Sequence, residues 1–95
     1  MSELLDGDAI QARLAELPGW AGDTTALRRT VVAANFLAGI RLVDMVAEVA
    51  EELDHHPDID IRWTAITFTI STHSEGGVTG KDFELAARIN ALTEP

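Results

Sequence analysis

Cysteine is absent from the 95 residues. That removes disulfide frameworks, thiolate nucleophiles and cysteine-based zinc sites together. Basic residues are scarce: seven Lys and Arg stand against 16 Asp and Glu, a formal net charge of -9. Such a charge repels phosphate backbones and anionic lipid surfaces, and the few cations are scattered rather than gathered, so neither nucleic acid nor membrane is an expected partner. Long apolar runs are missing too, for no stretch approaches the eighteen or so residues needed to span a bilayer. Met1-Ser2-Glu3-Leu4-Leu5-Asp6 carries no basic leader and no apolar run of signal-peptide length, so a cytoplasmic location is expected. Internal repeats and low-complexity segments are lacking. A chain of this length buries roughly two-thirds of its unfolded surface around one core, which leads us to expect a single domain over residues 1–95.

The pattern that remains alternates helical and strand periodicity. Asp8, with Gln11 as its capping-box partner, precedes Ile10, Leu14 and Leu17 at helical spacing, and Pro18-Gly19 ends the helix. Trp20 then opens a short strand, the chain turns near Gly22-Asp23-Thr24, and a second strand runs from Ala26 to Val32. From Asn35, a plausible N-cap, to Leu53 the spacing predicts a long helix. Its polar residues Arg41, Asp44 and Glu48 keep to a narrow stripe, leaving more apolar surface than one face of a sheet can hide. A second copy of the same helix is the expected partner, giving a homodimer or homotetramer through residues 35–53. Pro57 stops that helix by His56. Ile59, Ile61 and Trp63, then Ile66, Phe68 and Ile70, alternate as two strands, and the step of three between Trp63 and Ile66 marks a turn or bulge. Thr79 can cap a last helix carrying Phe83, Ala86 and Ile89. The order α-β-β-α-β-β-α implies an α+β fold, a four-stranded, mainly antiparallel sheet with three helices.

All three histidines, His55, His56 and His73, lie between Glu51 and Asp82. Imidazole, with an ordinary pKa of about 6.5, gives or takes a proton near neutrality, so three together suit general acid-base work. The bland readings are a solvated or packed histidine, a solvated charge for Glu51, a core or interface anchor for Trp63, and turn formation for Gly76-Gly77. Asp82 has the strongest of these, because Thr79-Gly80-Lys81-Asp82 matches a capping box. His55, His56, His73 and Asp82 also count to four donors suited to zinc or iron. Successive side chains diverge, however, and no His-x-His or His-x-x-x-His pair is present, so no metal is expected.

Taken together, Glu51, His55-His56-Pro57, Trp63, His73 and Asp82, with Pro18-Gly19-Trp20 and Phe36 upstream and Leu85-Ala86 downstream, resemble the signature of the pterin-4a-carbinolamine dehydratases. The resemblance covers residues 18 to 92. It implies the same α+β architecture and an enzyme, a hydro-lyase that dehydrates 4a-hydroxytetrahydropterin to the quinonoid dihydropterin in tetrahydrobiopterin recycling. It also implies that His55, His56 and His73 are active-site histidines with Asp82 as their accompanying carboxylate. Asp54-His55-His56 and Ser71-Thr72-His73 correspond to pterin-contacting segments, with Glu51 and Trp63 as supporting residues. His55 and His73 are expected to form the acid-base pair, His56 to orient the substrate, and Asp82 to fix a histidine tautomer. No cofactor is expected. The alternative is a non-catalytic role, since animal members of the family also serve as dimerisation cofactors of a transcription factor through the long helix.

Overall fold

A computed structural model describes residues 3–93 of the chain. Helix α1 (Gly7–Leu14), strands β1 (Ala21–Gly22) and β2 (Leu27–Val32), helix α2 (Phe36–Leu53), strands β3 (Asp58–Arg62) and β4 (Ala65–Ile70), and helix α3 (Gly80–Thr93) follow in that order, with a short 3-10 turn at His73–Glu75 before α3. The fold is α+β, with three helices and one four-stranded antiparallel sheet among the described residues, as the periodicity implies.

The strands lie in the order β1-β2-β4-β3. Both β2 and β3 pair antiparallel with β4, so they run parallel to each other with β4 inserted between them. Helix α2 makes the crossover between them. Alternation divides the sheet: Leu27, Ile66, Phe68 and Ile70 are buried on the helix-facing side, while Arg28, Thr30 and Val32 are exposed on the other. Against the buried side pack Leu42, Val46 and Val49 of α2 and Phe83, Leu85, Ala86 and Ile89 of α3. Gly39 permits the closest approach of α2, since a Cβ there would stand 3.1 Å from the Ile66 side chain.

Asn35 caps α2 by accepting the Ala38 N–H at 2.8 Å, a contact worth about 1 kcal/mol. At the other end Asp54 adopts the left-handed conformation (φ 51°, ψ 46°) and the His55 N–H returns to the Ala50 carbonyl. This is the 6→1 closure of a Schellman ending, with aspartate in the place more often taken by glycine. Pro57 follows, and β3 begins at Asp58.

Three boundaries differ from those the periodicity suggests. Helix α1 starts one residue earlier and ends three earlier than the expected span from Asp8 to Leu17. Asp6 is its cap, accepting the Ala9 N–H at 2.8 Å, while Gln11 reaches across to the Gly22 carbonyl instead of back to its own helix start. Trp20 does not open a strand. Its ring is buried and its Nε1–H donates to Asn90 Oδ1 at 2.8 Å, because an indole of that size finds more apolar contact beneath the sheet than at its rim. In the turn that follows, Asp23 accepts both the hydroxyl and the amide of Thr25, and these contacts hold its carboxyl below the ordinary carboxylate range.

The phase slip after Trp63 is the β3-β4 turn. Tight hairpin turns need positive φ, and with no glycine or asparagine available Trp63 itself takes it (φ 53°). Its side chain is left 78% exposed, neither core nor packed anchor.

Candidate active site

The topology explains how two segments distant in sequence meet. Asp58 pairs with Thr69, so the chain entering β3 (residues 54–57) and the chain leaving β4 (residues 71–73) project past the same end of an antiparallel pair. Between them lies a cleft of about 500 Å³ lined by Asp54, His55, His56, Ser71, Thr72 and His73. Pro57, Asp58, Ser74 and Lys81 complete its wall. All three histidines therefore border one cavity. Trp63 does not, for it sits at the opposite end of the β3-β4 hairpin. Of the expected supporting residues, Trp63 is thus placed away from this cleft, at the turn it makes.

The left-handed residue at Asp54 turns the chain out of α2, and the two successive histidines that follow diverge. His55 turns inward toward the start of α3, where its Nε2 lies 2.6 Å from Asp82 Oδ1, and its side chain is 11% exposed against 0% for Asp82. His56 turns outward and its Nε2 contacts Glu51 Oε2 on the last turn of α2. Both members of that second pair are open to solvent, so their mutual attraction is weak. His73 is exposed, at the first position of the 3-10 turn.

Asp82 serves two purposes at once. Its Oδ2 accepts the Thr79 N–H at 2.8 Å, which is the capping-box contact, while its Oδ1 faces His55. A carboxylate here has no proton to give, so the ring nitrogen donates, and the proton on His55 sits on Nε2. Nδ1 has no protein partner among the described residues, and no buried side-chain nitrogen or oxygen there lacks one, so Nδ1 is accessible on a residue that lines the cleft. A lone pair is thus presented to whatever lies there, with a buried negative charge behind the ring ready to stabilise the imidazolium that proton uptake creates.

Thr72 borders the cleft but is only 3% exposed, and its hydroxyl is committed to Asp82 Oδ2 at 2.8 Å. Gly76 takes positive φ (78°) to close the turn after His73, and Gly77 packs against the β1-β2 turn, where a Cβ would stand 2.6 Å from the Thr24 carbonyl oxygen. The paired glycines therefore seat this loop on the fold. Lys81, which sequence reasoning passed over, is the basic residue on the wall of the cleft. Its signal was its position one residue before the capping carboxylate, which places it on the first turn of α3 beside the site. Among the described residues no three His, Asp or Glu side chains come together as a metal-binding group. A second cleft, about 370 Å³ along β1 and the start of β2, is lined by Arg28, Arg29 and Asp23 and holds no histidine.

Comparison with known proteins gives a consistent picture. Residues 3–92 match the family model described as pterin 4 alpha carbinolamine dehydratase. A protein of Nocardia farcinica, provisionally named pterin-4-alpha-carbinolamine dehydratase, is 53% identical over 91 residues, covering 96% of each chain. One of Mycobacteroides abscessus with the same provisional name is 56% identical over 87 residues, covering 92% of this chain and 93% of the relative. Among solved structures, a transcriptional coactivator/pterin dehydratase from Brucella melitensis superposes with a TM-score of 0.88 at 30% identity, over 95% of this chain and 98% of that one. A pterin dehydratase-like RuBisCO assembly factor of the alpha-carboxysome shares the fold, with a TM-score of 0.63 at 23% identity over 77% of this chain and 84% of that one.

Proposed function

Because this chain belongs to the pterin 4 alpha carbinolamine dehydratase family, we propose that it converts a 4a-hydroxytetrahydropterin to the quinonoid dihydropterin and water by histidine acid-base catalysis, with tetrahydrobiopterin recycling as its setting. The observation that carries this reading is the cleft in which His55, backed by the buried Asp82, faces the same space as His73. In the reaction the C4a–O bond breaks, the hydroxyl leaves as water after receiving a proton, and the proton on N5 departs as the N5=C4a double bond forms. His55, with a free Nδ1 and a carboxylate behind it, takes the N5 proton. His73, from the other segment, supplies the proton to the leaving hydroxyl. His56 and Asp54 orient the ring, and Glu51 meets His56 from the last turn of α2. No step in this scheme calls on a metal or organic cofactor, because both groups transferred are protons.

The test is direct. Mixed with freshly generated 4a-hydroxytetrahydropterin, the protein is expected to speed the absorbance change well beyond the spontaneous rate. His73→Ala is expected to lower that acceleration by about 10²-fold, the small end of the range for general acids, because water can replace an exposed donor. No acceleration by the unaltered protein rejects the dehydratase reading.

Helix α2 supports a second property. Phe36, Leu37 and Met45 remain 40–56% exposed after the sheet and α3 have covered its inner face, and α2 pairing with a second copy is the simplest cover for them. Light scattering is expected to give a multiple of the 10.3 kDa chain mass, and Leu37→Glu to lower it. A monomer in both cases removes the oligomer. The same surface is what a transcriptional cofactor role would use, a reading favoured by the coactivator name of the Brucella melitensis relative. Full dehydratase activity with no stoichiometric heterologous partner argues against it.

A further inference from the structure

Proton counting around Asp82 reveals more than a cap. Thr72 Oγ1 stands 2.8 Å from Asp82 Oδ2 and 2.7 Å from Thr79 Oγ1, and both threonines are buried, at 3% and 0% exposure. Each hydroxyl owns a single proton. The carboxylate can only accept, so the Thr72 proton goes to Asp82, and the Thr79 proton must then go to Thr72. Thr79 Oγ1 in turn accepts the Lys81 N–H at 3.2 Å. The donors run in one direction, from the first turn of α3 through two hydroxyls to the carboxylate that receives His55. A one-way chain of this kind strengthens each member and leaves the carboxylate one orientation.

The main chain of Thr72 does something different. Its carbonyl accepts the Glu75 and Gly76 N–H groups at 3.0 Å and its own N–H donates to Gly77 at 2.9 Å, which closes the turn carrying His73. One residue thus braces both sides of the cleft, by its hydroxyl on the His55 side and by its backbone on the His73 side.

We propose that the Thr72 hydroxyl is a positioning group for the reaction: it locks the Asp82 carboxylate, and through it holds His55 as the tautomer with its proton on Nε2 and a free lone pair on Nδ1. Its kinetic consequences rest on the dehydratase reading; its effect on His55 does not. Thr72→Val preserves shape and backbone but leaves Oδ2 with the Thr79 amide alone, so the carboxylate can swing about its Cβ–Cγ bond. Thr72→Ser keeps the hydroxyl.

The experiment compares the two variants with the parent by ¹⁵N NMR of the histidine rings and by dehydration kinetics. In the parent and in Thr72→Ser, the His55 spectrum is expected to show the Nε2–H form, and in Thr72→Val a mixture of tautomers. Thr72→Val is expected to lose about 10- to 100-fold in kcat with KM held within about twofold, since the hydroxyl is buried and committed to Asp82 and Thr79. Thr72→Ser is expected to recover most of the rate. A purely structural role would lower the melting temperature and leave the tautomer alone. Folded Thr72→Val protein with the parental His55 spectrum overturns the proposal. A changed spectrum in protein that never accelerates dehydration upholds the positioning role and rejects the dehydratase reading. Should valine prevent folding, Thr72→Cys makes the same comparison with a weaker donor.

Discussion

Asp82→Asn is expected to leave the fold standing and remove about 10²- to 10⁴-fold of the dehydration rate. The asymmetry follows from which oxygen does what. Oδ2 accepts from the Thr79 amide and the Thr72 hydroxyl, and the amide oxygen of asparagine can replace it there, because the reach-back contact of a capping box needs only an accepting oxygen, which an amide also has. The amide nitrogen must then take the place of Oδ1, 2.6 Å from His55 Nε2. An N–H of that amide now points at the ring nitrogen, so Nε2 must accept and the ring proton moves to Nδ1. The atom facing the cleft changes from a proton acceptor to a donor, and the base is lost although no ring has moved. Initial rates, corrected for the spontaneous reaction, and a thermal melt together check this. An unchanged rate, with the melt also unchanged, means that the tautomer of His55 does not matter to the reaction.

Phe68→Ala is expected to cost about 3–5 kcal/mol of stability. Phe68 is 0% exposed and occupies the middle of β4, paired with Arg29 on one side and Ile59 on the other, beneath both helices of the buried layer. Strand β4 is bordered by β2 and β3, so little can collapse into the vacated space, and the cavity adds to the lost transfer energy. Domains of this size are stable by only about 5–15 kcal/mol in all, so the variant should unfold at far lower denaturant, a shift read by a urea titration. Val32→Ala, at a position 73% exposed, is the control and should fall within about 0.5 kcal/mol of the parent. Equal effects from the two would mean that the core is not where β4 runs.

Legibility along the chain followed how local the determining interaction was. The cap at Asn35, the stop before Pro57 and the alternation of Ile66, Phe68 and Ile70 each depend on neighbours within a turn or a strand, and each is found where the pattern puts it. The fate of Trp20 was decided at long range, by the indole reaching Asn90 seventy positions away, a partner that no window of sequence contains; the start of α1 was instead a choice between two neighbouring carboxylates, Asp6 and Asp8, and Asp6 took the Ala9 amide. Asp82 is the instructive case, because its spacing supported both a cap and a site residue. The two are compatible since a carboxylate has two oxygens, one for each.

What the sequence determined by itself was the class of chemistry and the list of groups able to perform it: no thiol, a large acidic excess, and three imidazoles beside a capping carboxylate, with spacing that resembles one family. Periodicity also determined the order of helices and strands, because burial repeats every second residue on a sheet and every three to four on a helix. Only the tertiary structure decided which imidazole the carboxylate serves, which nitrogen faces the cleft, and that Trp63 stands at the far end of its hairpin. The reason is geometric. A chain fixes the spacing of its residues along one dimension, whereas the direction of a side chain depends on backbone handedness at a single position such as Asp54 and on what the packed sheet brings opposite it.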